Sequence, residues 1–102
     1  MGALQNNTTG SNNTAIGEDA LFSNSMGDFN TASGVNALVR NTTGSGNTAS
    51  GSGALFSNIV GNYNTAIGSN AGGPPAGNGN TIIGSGASVS SSMLGGGTTS
   101  IL

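Results

Sequence analysis

Asn13-Thr14-Ala15-Ile16-Gly17 is the first copy of a motif, Asn-Thr-Ala-X-Gly, that starts again at Asn30, Asn47 and Asn64. Successive copies are 17 residues apart, and a fifth copy, Asn80-Thr81-Ile82-Ile83-Gly84, comes one residue early. A fixed short period of this kind is typical of a solenoid, in which each unit stacks on the previous one. The repeat therefore predicts a stack of coils along most of the 102-residue chain.

A second motif keeps the same period between the copies of the first. An Ala-Leu pair recurs at Ala20-Leu21, Ala37-Leu38 and Ala54-Leu55, and Ala3-Leu4 fits the same phase. Because these apolar residues share one slot of the repeat, we expect a continuous buried stack of Leu side chains. The positions expected to define the coils are Asn13, Thr14, Gly17, Leu21, Asn30, Thr31, Gly34, Leu38, Asn47, Thr48, Gly51, Leu55, Asn64, Thr65 and Gly68.

The period divides the chain into three parts. Residues 1–71 are predicted to form regular coils, residues 72–87 a modified terminal coil, and residues 88–102 a cap, linker or tail. The repeat pattern starts in mid-unit at Ala3-Leu4. That start favours either a fragment of a longer protein or a filament subunit that another copy continues.

The modified coil contains two prolines where earlier units have apolar residues. Gly72-Gly73-Pro74-Pro75 replaces the Leu and its apolar neighbour, and proline has no N–H to donate to a strand ladder. We therefore expect residues 71–80 to bulge or bend, leaving residues 80–87 as a partly detached final turn.

Short strands are the only regular structure that suits this repeat. A pair of helices needs about 33 residues, and each Gly inside a helix costs about 1 kcal/mol. Residues 14–16 and 20–23 are predicted as two strands of one coil, with Gly and Asn supplying the positive-φ corners. The expected fold is all-β: a parallel β-solenoid of about five to six coils that rise about 4.8 Å each.

The composition excludes several classes of partner. Gly, Asn, Ser and Thr make up 61 of the 102 residues, and the charged residues are Glu18, Asp19, Asp28 and Arg40. One Arg without any Lys cannot neutralise a phosphate backbone, so we expect no nucleic-acid binding. Apolar runs are far shorter than the roughly 20 residues of a membrane span, so we expect no membrane insertion by this segment.

The usual catalytic groups are missing from the sequence. It has no His and no Cys, so acid–base pairs and nucleophilic triads have no ordinary members. Glu18-Asp19 is the one adjacent carboxylate pair, and its side chains would point to opposite faces of an extended segment. Asp28 could join them around a cation, but the calcium-binding Gly-rich repeat is absent. We expect no enzyme activity, no cofactor and no metal.

Polar and aromatic residues recur in columns that allow two interpretations. Thr and Asn could form structural ladders along the axis, or the Thr column could be a flat face that binds ice or a polysaccharide. The aromatic slots favour core or chain–chain contacts over platforms for sugar stacking. The columns are Thr14, Thr31, Thr48, Thr65 and Thr81; Asn13, Asn30, Asn47, Asn64 and Asn80; Asn24, Asn41 and Asn58; Phe22, Val39 and Phe56; and Phe29 and Tyr63.

A single coil offers little apolar surface for its own core. Burying a large apolar side chain yields about 1.5–3 kcal/mol, whereas ordering one residue's backbone costs about 1–2 kcal/mol. Side-by-side association would supply the missing burial, with one apolar set inside the coil and another against partner chains.

The repeat Asn-Thr-Ala-Ile-Gly-X-X-Ala-Leu-X-X-Asn-X-X-Gly resembles the head repeats of trimeric autotransporter adhesins and the repeats of phage-tail-fibre-like proteins. The resemblance covers about residues 3–71 and, more weakly, residues 80–87. It implies a left-handed parallel β-roll in which three chains wind side by side. It also implies a location at the bacterial cell surface, outside the cell or in a virion fibre.

Three hypotheses follow from the pattern and the resemblance. The first is a structural and adhesive segment of a surface adhesin or fibre, which binds itself as a homotrimer and presents its lateral surface to a host-surface protein or glycan. The alternative is a self-assembling extracellular filament subunit, with coils continued end to end. A weaker third is an ice-binding protein that uses the Thr column.

Overall fold

The fold repeats one short strand per coil. The computed structural model describes residues 2–73, 77–88 and 99–101, which contain no helix. Their parallel strands form a β-solenoid of about four turns. The strands are β1 (Thr14–Ile16), β2 (Thr31–Ser33), β3 (Thr48–Ser50), β4 (Thr65–Ile67), β5 (Thr81–Ile83) and β6 (Thr99–Ile101).

The strands pair in sequence order and in the register of the repeat. They form one parallel sheet, β1-β2-β3-β4-β5-β6, with Thr14 opposite Thr31 and Thr31 opposite Thr48. β1 to β5 each end immediately before the Gly of the motif; Gly34, for example, has φ 137°. A Cβ at Gly34 would also lie 2.6 Å from the backbone carbon of Gly51 in the next coil. Both the backbone angle and the close approach of adjacent coils therefore require glycine at this corner.

The second predicted strand, at residues 20–23, is wrong, because this segment is a turn. Asp19 and Leu21 have φ of 58° and 52°, which interrupts an extended backbone. Adjacent coils are still hydrogen-bonded there: the Leu21 N–H donates to the Ala37 carbonyl at 3.0 Å and the Ser23 N–H to Val39 at 3.1 Å. The coil thus has one strand and a stacked turn that continues its hydrogen-bond ladder.

Gly and Asn supply many of the positive-φ positions, as predicted, but Leu supplies others that were not predicted. Leu4, Leu21, Leu38 and Leu55 all have positive φ, between 51° and 57°. A left-handed conformation costs a residue with a Cβ about 1–2 kcal/mol. Complete burial of a Leu side chain contributes about 1.5–3 kcal/mol, which offsets that cost.

The core is a column of small side chains beside the predicted Leu stack. Leu21, Leu38 and Leu55 are fully buried, and Leu4 packs against the same cluster. Along each strand the middle residue points inward, as Ala32 and Ala49 do, while the Thr before it points outward. The apolar half of the interior is therefore narrow and is filled by Ala and Leu.

The terminal turn at residues 80–87 is attached, contrary to the prediction. The Gly72 N–H donates to the Ala87 carbonyl at 2.7 Å, and the Gly84 N–H donates to Ile67 at 2.8 Å. β5 pairs in register with β4 and with β6, so Thr81 lies opposite both Thr65 and Thr99. Pro74 and Pro75, on which the expected bend depended, lie outside the described residues.

A compensating pair of residues explains why this turn stays in the stack. Gly72 occupies the Leu slot, while Ile82 replaces the small Ala of the other strands and is fully buried. A Cβ at Gly72 would lie 2.8 Å from Cδ2 of Leu55 and 3.5 Å from Cδ1 of Ile82. The larger Ile82 side chain and Leu55 thus occupy the volume that a fifth Leu would have filled.

Candidate functional site: side-chain ladders and the outer surface

One asparagine column forms a buried amide ladder along the axis. The Nδ2 of Asn24 donates to Oδ1 of Asn7 at 2.7 Å, and Asn41 donates to Asn24 at 2.7 Å. Asn58 continues the ladder by donating to Asn41 at 2.9 Å. Each of these amides also donates to a glycine carbonyl three residues later in its own coil, as Asn41 does to Gly44 at 2.9 Å. Both amide hydrogens of each asparagine side chain in this ladder are therefore hydrogen-bonded inside the solenoid.

The asparagines that open the repeat form a second ladder. The backbone N–H of Asn47 donates to Oδ1 of Asn30 at 2.9 Å, and the N–H of Asn64 donates to Asn47 in the same way. The Nδ2 of Asn30 donates to the Gly44 carbonyl at 2.8 Å. That carbonyl accepts from both ladders and links them. These asparagines are buried, so their role is structural, as one of the two interpretations predicts.

A third ladder was not anticipated from the sequence. The Ser11 N–H donates to Oδ1 of Asp28 at 2.7 Å, and the Asp28 N–H donates to Oγ of Ser45 at 3.0 Å. The Ser45 N–H then donates to Oδ1 of Asn62 at 2.8 Å, and the Asn62 N–H to Oδ1 of Asn78 at 2.8 Å. The sequence signal is chemical: the slot holds Ser, Asp or Asn, and each of these side chains has an oxygen that can accept a hydrogen bond.

The acidic residues belong to this framework or to its surface. Asp28 accepts a backbone N–H as a rung of the third ladder, and Glu18 is exposed. Across the described ranges, Asp and Glu do not gather in a group of three that could hold a metal ion.

The Thr column faces outward. Thr14, Thr31 and Thr48 are exposed, and Thr65 and Thr81 are half-buried. Their hydroxyls make no hydrogen bond to the described protein, unlike Thr8 and Thr42, whose hydroxyls donate to carbonyls of the next coil at 2.9 and 3.2 Å. The other outward column of the sheet is mixed, with Ile16, Ser33, Ser50 and Ile67. The outer sheet surface is therefore a regular hydroxyl–methyl column beside an irregular one.

Of the two roles predicted for the aromatic slots, core or chain–chain contacts, the first is wrong for Phe29 and Tyr63, and contact between chains stays a prediction. These side chains are 66% and 73% exposed. Tyr63 lies over Gly46 of the preceding coil, since a Cβ at Gly46 would fall 2.6 Å from Cδ1 and 2.7 Å from Cε1 of the ring. Both residues have a left-handed backbone, with φ of 58°.

A second group of apolar side chains is exposed at the corner that precedes the third ladder. Phe56 lies beneath the Arg40 guanidinium, whose carbon is 5.0 Å from the ring centroid. Ile59 and Val60 follow Phe56 on the other side of the buried Asn58. With Met26 in the equivalent corner of an earlier coil, Phe56, Ile59 and Val60 are called the corner set below.

Comparison with protein-family models, curated proteins and solved structures gives no match for this chain. Among the described residues, no helix has the length and hydrophobicity to span a bilayer.

Proposed function

We propose that this chain is a structural and adhesive β-solenoid segment of a bacterial surface adhesin or a phage-type fibre. In this proposal, each chain is a left-handed solenoid of five to six coils. Three such chains lie side by side as a stiff spacer. Their lateral surface meets a host-surface protein or glycan. The proposal assigns the chain a mechanical role and a display role outside the cell or on a virion.

The observation that supports the mechanical role most strongly is the set of three axial side-chain ladders. Every coil is joined to the next by backbone bonds of the strand, by the Leu-slot N–H and by buried amides such as Asn41 and Asn47. Buried hydrogen bonds are shielded from water, and opening one would leave polar groups unpaired. A coil held in this way resists local opening, which suits a spacer that must stay extended and resist proteases.

The corner set supports side-by-side association. Val60 is 64% exposed and Met26 55% exposed, although large apolar side chains on a small protein are usually covered. In parallel copies with one period, every coil would meet the same coil of its neighbour. Met26 would then meet Met26, and Val60 would meet Val60, of the neighbouring copy, so we place the interface at the corner set.

Sedimentation at micromolar concentration tests this assembly. The wild-type chain is expected to sediment with three times its monomer mass. Val60→Asp, which puts a charge in the corner set, is expected to dissociate it. Ser50→Asp places the same charge on the exposed strand surface and should leave the mass unchanged. A well-folded wild-type monomer would contradict the trimer.

End-to-end assembly into a filament is the second candidate. Within the described residues, β1 pairs with β2 alone and β6 with β5 alone, and edge strands of this kind add further strands readily. Electron microscopy of concentrated protein separates the two candidates. Long threads favour the filament, and short discrete particles favour the adhesin or fibre segment.

A further inference from the structure

Phe29 and Tyr63 form an exposed aromatic strip, and we propose that this strip binds a neutral, extended, β-linked polysaccharide. The proposal rests on the adhesive role above and names its ligand class. Both rings belong to one slot of the repeat, which also holds Asn12, Gly46 and Gly79. All five residues have φ between 58° and 71°. The slot therefore presents its side chains from the same backbone geometry in every coil.

The orientation of Tyr63 suits stacking against a sugar ring. Gly46 has no side chain, and one edge of the Tyr63 ring lies against its backbone. The ring is thus held along that edge by the preceding coil, while 73% of the residue remains accessible. The face of an aromatic ring is its electron-rich side, and the axial C–H groups of a pyranose carry a weak positive charge. A supported, open ring is the surface on which such C–H groups pack.

The spacing of the two rings points to an extended chain of sugars. Phe29 and Tyr63 are 34 residues apart, which is two coils. Two coils correspond to about 9.6 Å at the ordinary distance between neighbouring strands. This is close to the length of two pyranose units in an extended β-1,4-linked chain, so each ring would meet every second sugar. The small Gly46 between the rings leaves room for the intervening unit.

Polar groups beside the strip fit a ligand rich in hydroxyls. Thr31 follows Phe29 by two residues, and Thr65 follows Tyr63 in the same way, with Thr48 between them on the sheet. Their hydroxyls have no partner within the described protein, so they are available to sugar hydroxyls.

Charge favours a neutral polymer over an acidic one. The nearest carboxylate along the chain, that of Asp28, is next to Phe29 and accepts the Ser11 N–H. Arg40 is the one cationic side chain of the sequence, and it is stacked over Phe56. A sulfated or uronic-acid polymer would meet a net negative protein with its cation already engaged.

Pull-down with microcrystalline cellulose and with chitin powder tests the proposal, together with affinity electrophoresis in hydroxyethylcellulose. Phe29→Gly and Tyr63→Gly remove one ring each and keep the φ that Gly46 and Gly79 already adopt in this slot. Wild type should bind at least one of these β-linked polymers, and each Gly variant should bind about tenfold more weakly. Tyr63→Phe keeps the ring and should bind like wild type. Val35→Ala removes an exposed apolar side chain elsewhere and should also bind like wild type.

Two outcomes would contradict the proposal that the aromatic strip binds a polysaccharide. One is wild-type protein that binds none of these polymers, or binds α-linked dextran equally well. The other is a Gly variant that changes the sedimenting mass, because the rings would then be contacts between copies. Sedimentation of the same samples keeps this result separate from the fibre proposal. A trimer that binds no polysaccharide refutes the strip alone, and a monomer that binds cellulose or chitin refutes the trimeric fibre alone.

Discussion

Asn41 donates its amide hydrogen to Oδ1 of Asn24 at 2.7 Å across the gap between two coils, and both side chains are fully buried. The interior of this solenoid is therefore half apolar and half polar, with amide ladders where most protein cores have aliphatic side chains. Unpaired amides would make such a core unstable, but each rung here also satisfies a backbone group. This arrangement explains how a chain so rich in Gly, Asn, Ser and Thr orders without a large apolar core.

Asn41→Ala is expected to be strongly destabilising. It removes the donor to Asn24, the acceptor for Asn58 and one donor to the Gly44 carbonyl. Each buried group left unpaired costs about 1–3 kcal/mol, so we expect a loss of about 3–5 kcal/mol in the free energy of unfolding. Urea denaturation of Asn41→Ala measures this loss. Asn6→Ala, at an exposed asparagine outside the ladders, is the matched control and should unfold like wild type.

The period made most of this architecture predictable, because it places equal side chains at equal positions of successive coils. The Leu stack and the Asn ladders follow from that identity alone. The third ladder did not, since its slot changes residue type from Ser45 to Asp28 and Asn62, which share only a side-chain oxygen that accepts a hydrogen bond. The second strand was predicted wrongly because a buried Leu such as Leu38 seldom adopts a left-handed backbone.

Gly44 should tolerate no side chain. A Cβ there would collide with the Gly61 carbonyl oxygen and lie 2.5 Å from Oδ1 of Asn41. Because both obstacles belong to the ladders, Gly44→Ala should lower the free energy of unfolding by about 1–3 kcal/mol or more. Thermal unfolding followed by circular dichroism checks the shift. A Cβ at Gly73 would meet nothing within 4 Å, so Gly73→Ala should change stability by about 0.5 kcal/mol or less.

Leu38→Ala tests the centre of the Leu stack. Leu38 is fully buried between Leu21 and Leu55, so truncation should cost about 2–5 kcal/mol per chain. The sequence places Leu94 outside the periodic region, but Leu94 lies beyond the described residues. Val35→Ala is therefore the comparison, because Val35 is 45% exposed and should cost far less. Equal shifts in the denaturation midpoint for the two variants would mean that Leu38 contributes no more to the core than Val35 does.

Gly72 and Ile82 should be energetically coupled, because the larger side chain of Ile82 fills space that a Leu side chain at position 72 would occupy. Gly72→Leu alone should be destabilising by about 1–3 kcal/mol, since its side chain would enter space held by Leu55 and Ile82. Ile82→Ala alone should cost about 2–5 kcal/mol, because it leaves a cavity. The double variant restores the Leu and Ala of the regular coils, so its loss should be smaller than the sum by about 0.5–3 kcal/mol. A double-mutant cycle from urea denaturation measures this coupling, and strictly additive losses would show that Ile82 does not fill the missing Leu volume.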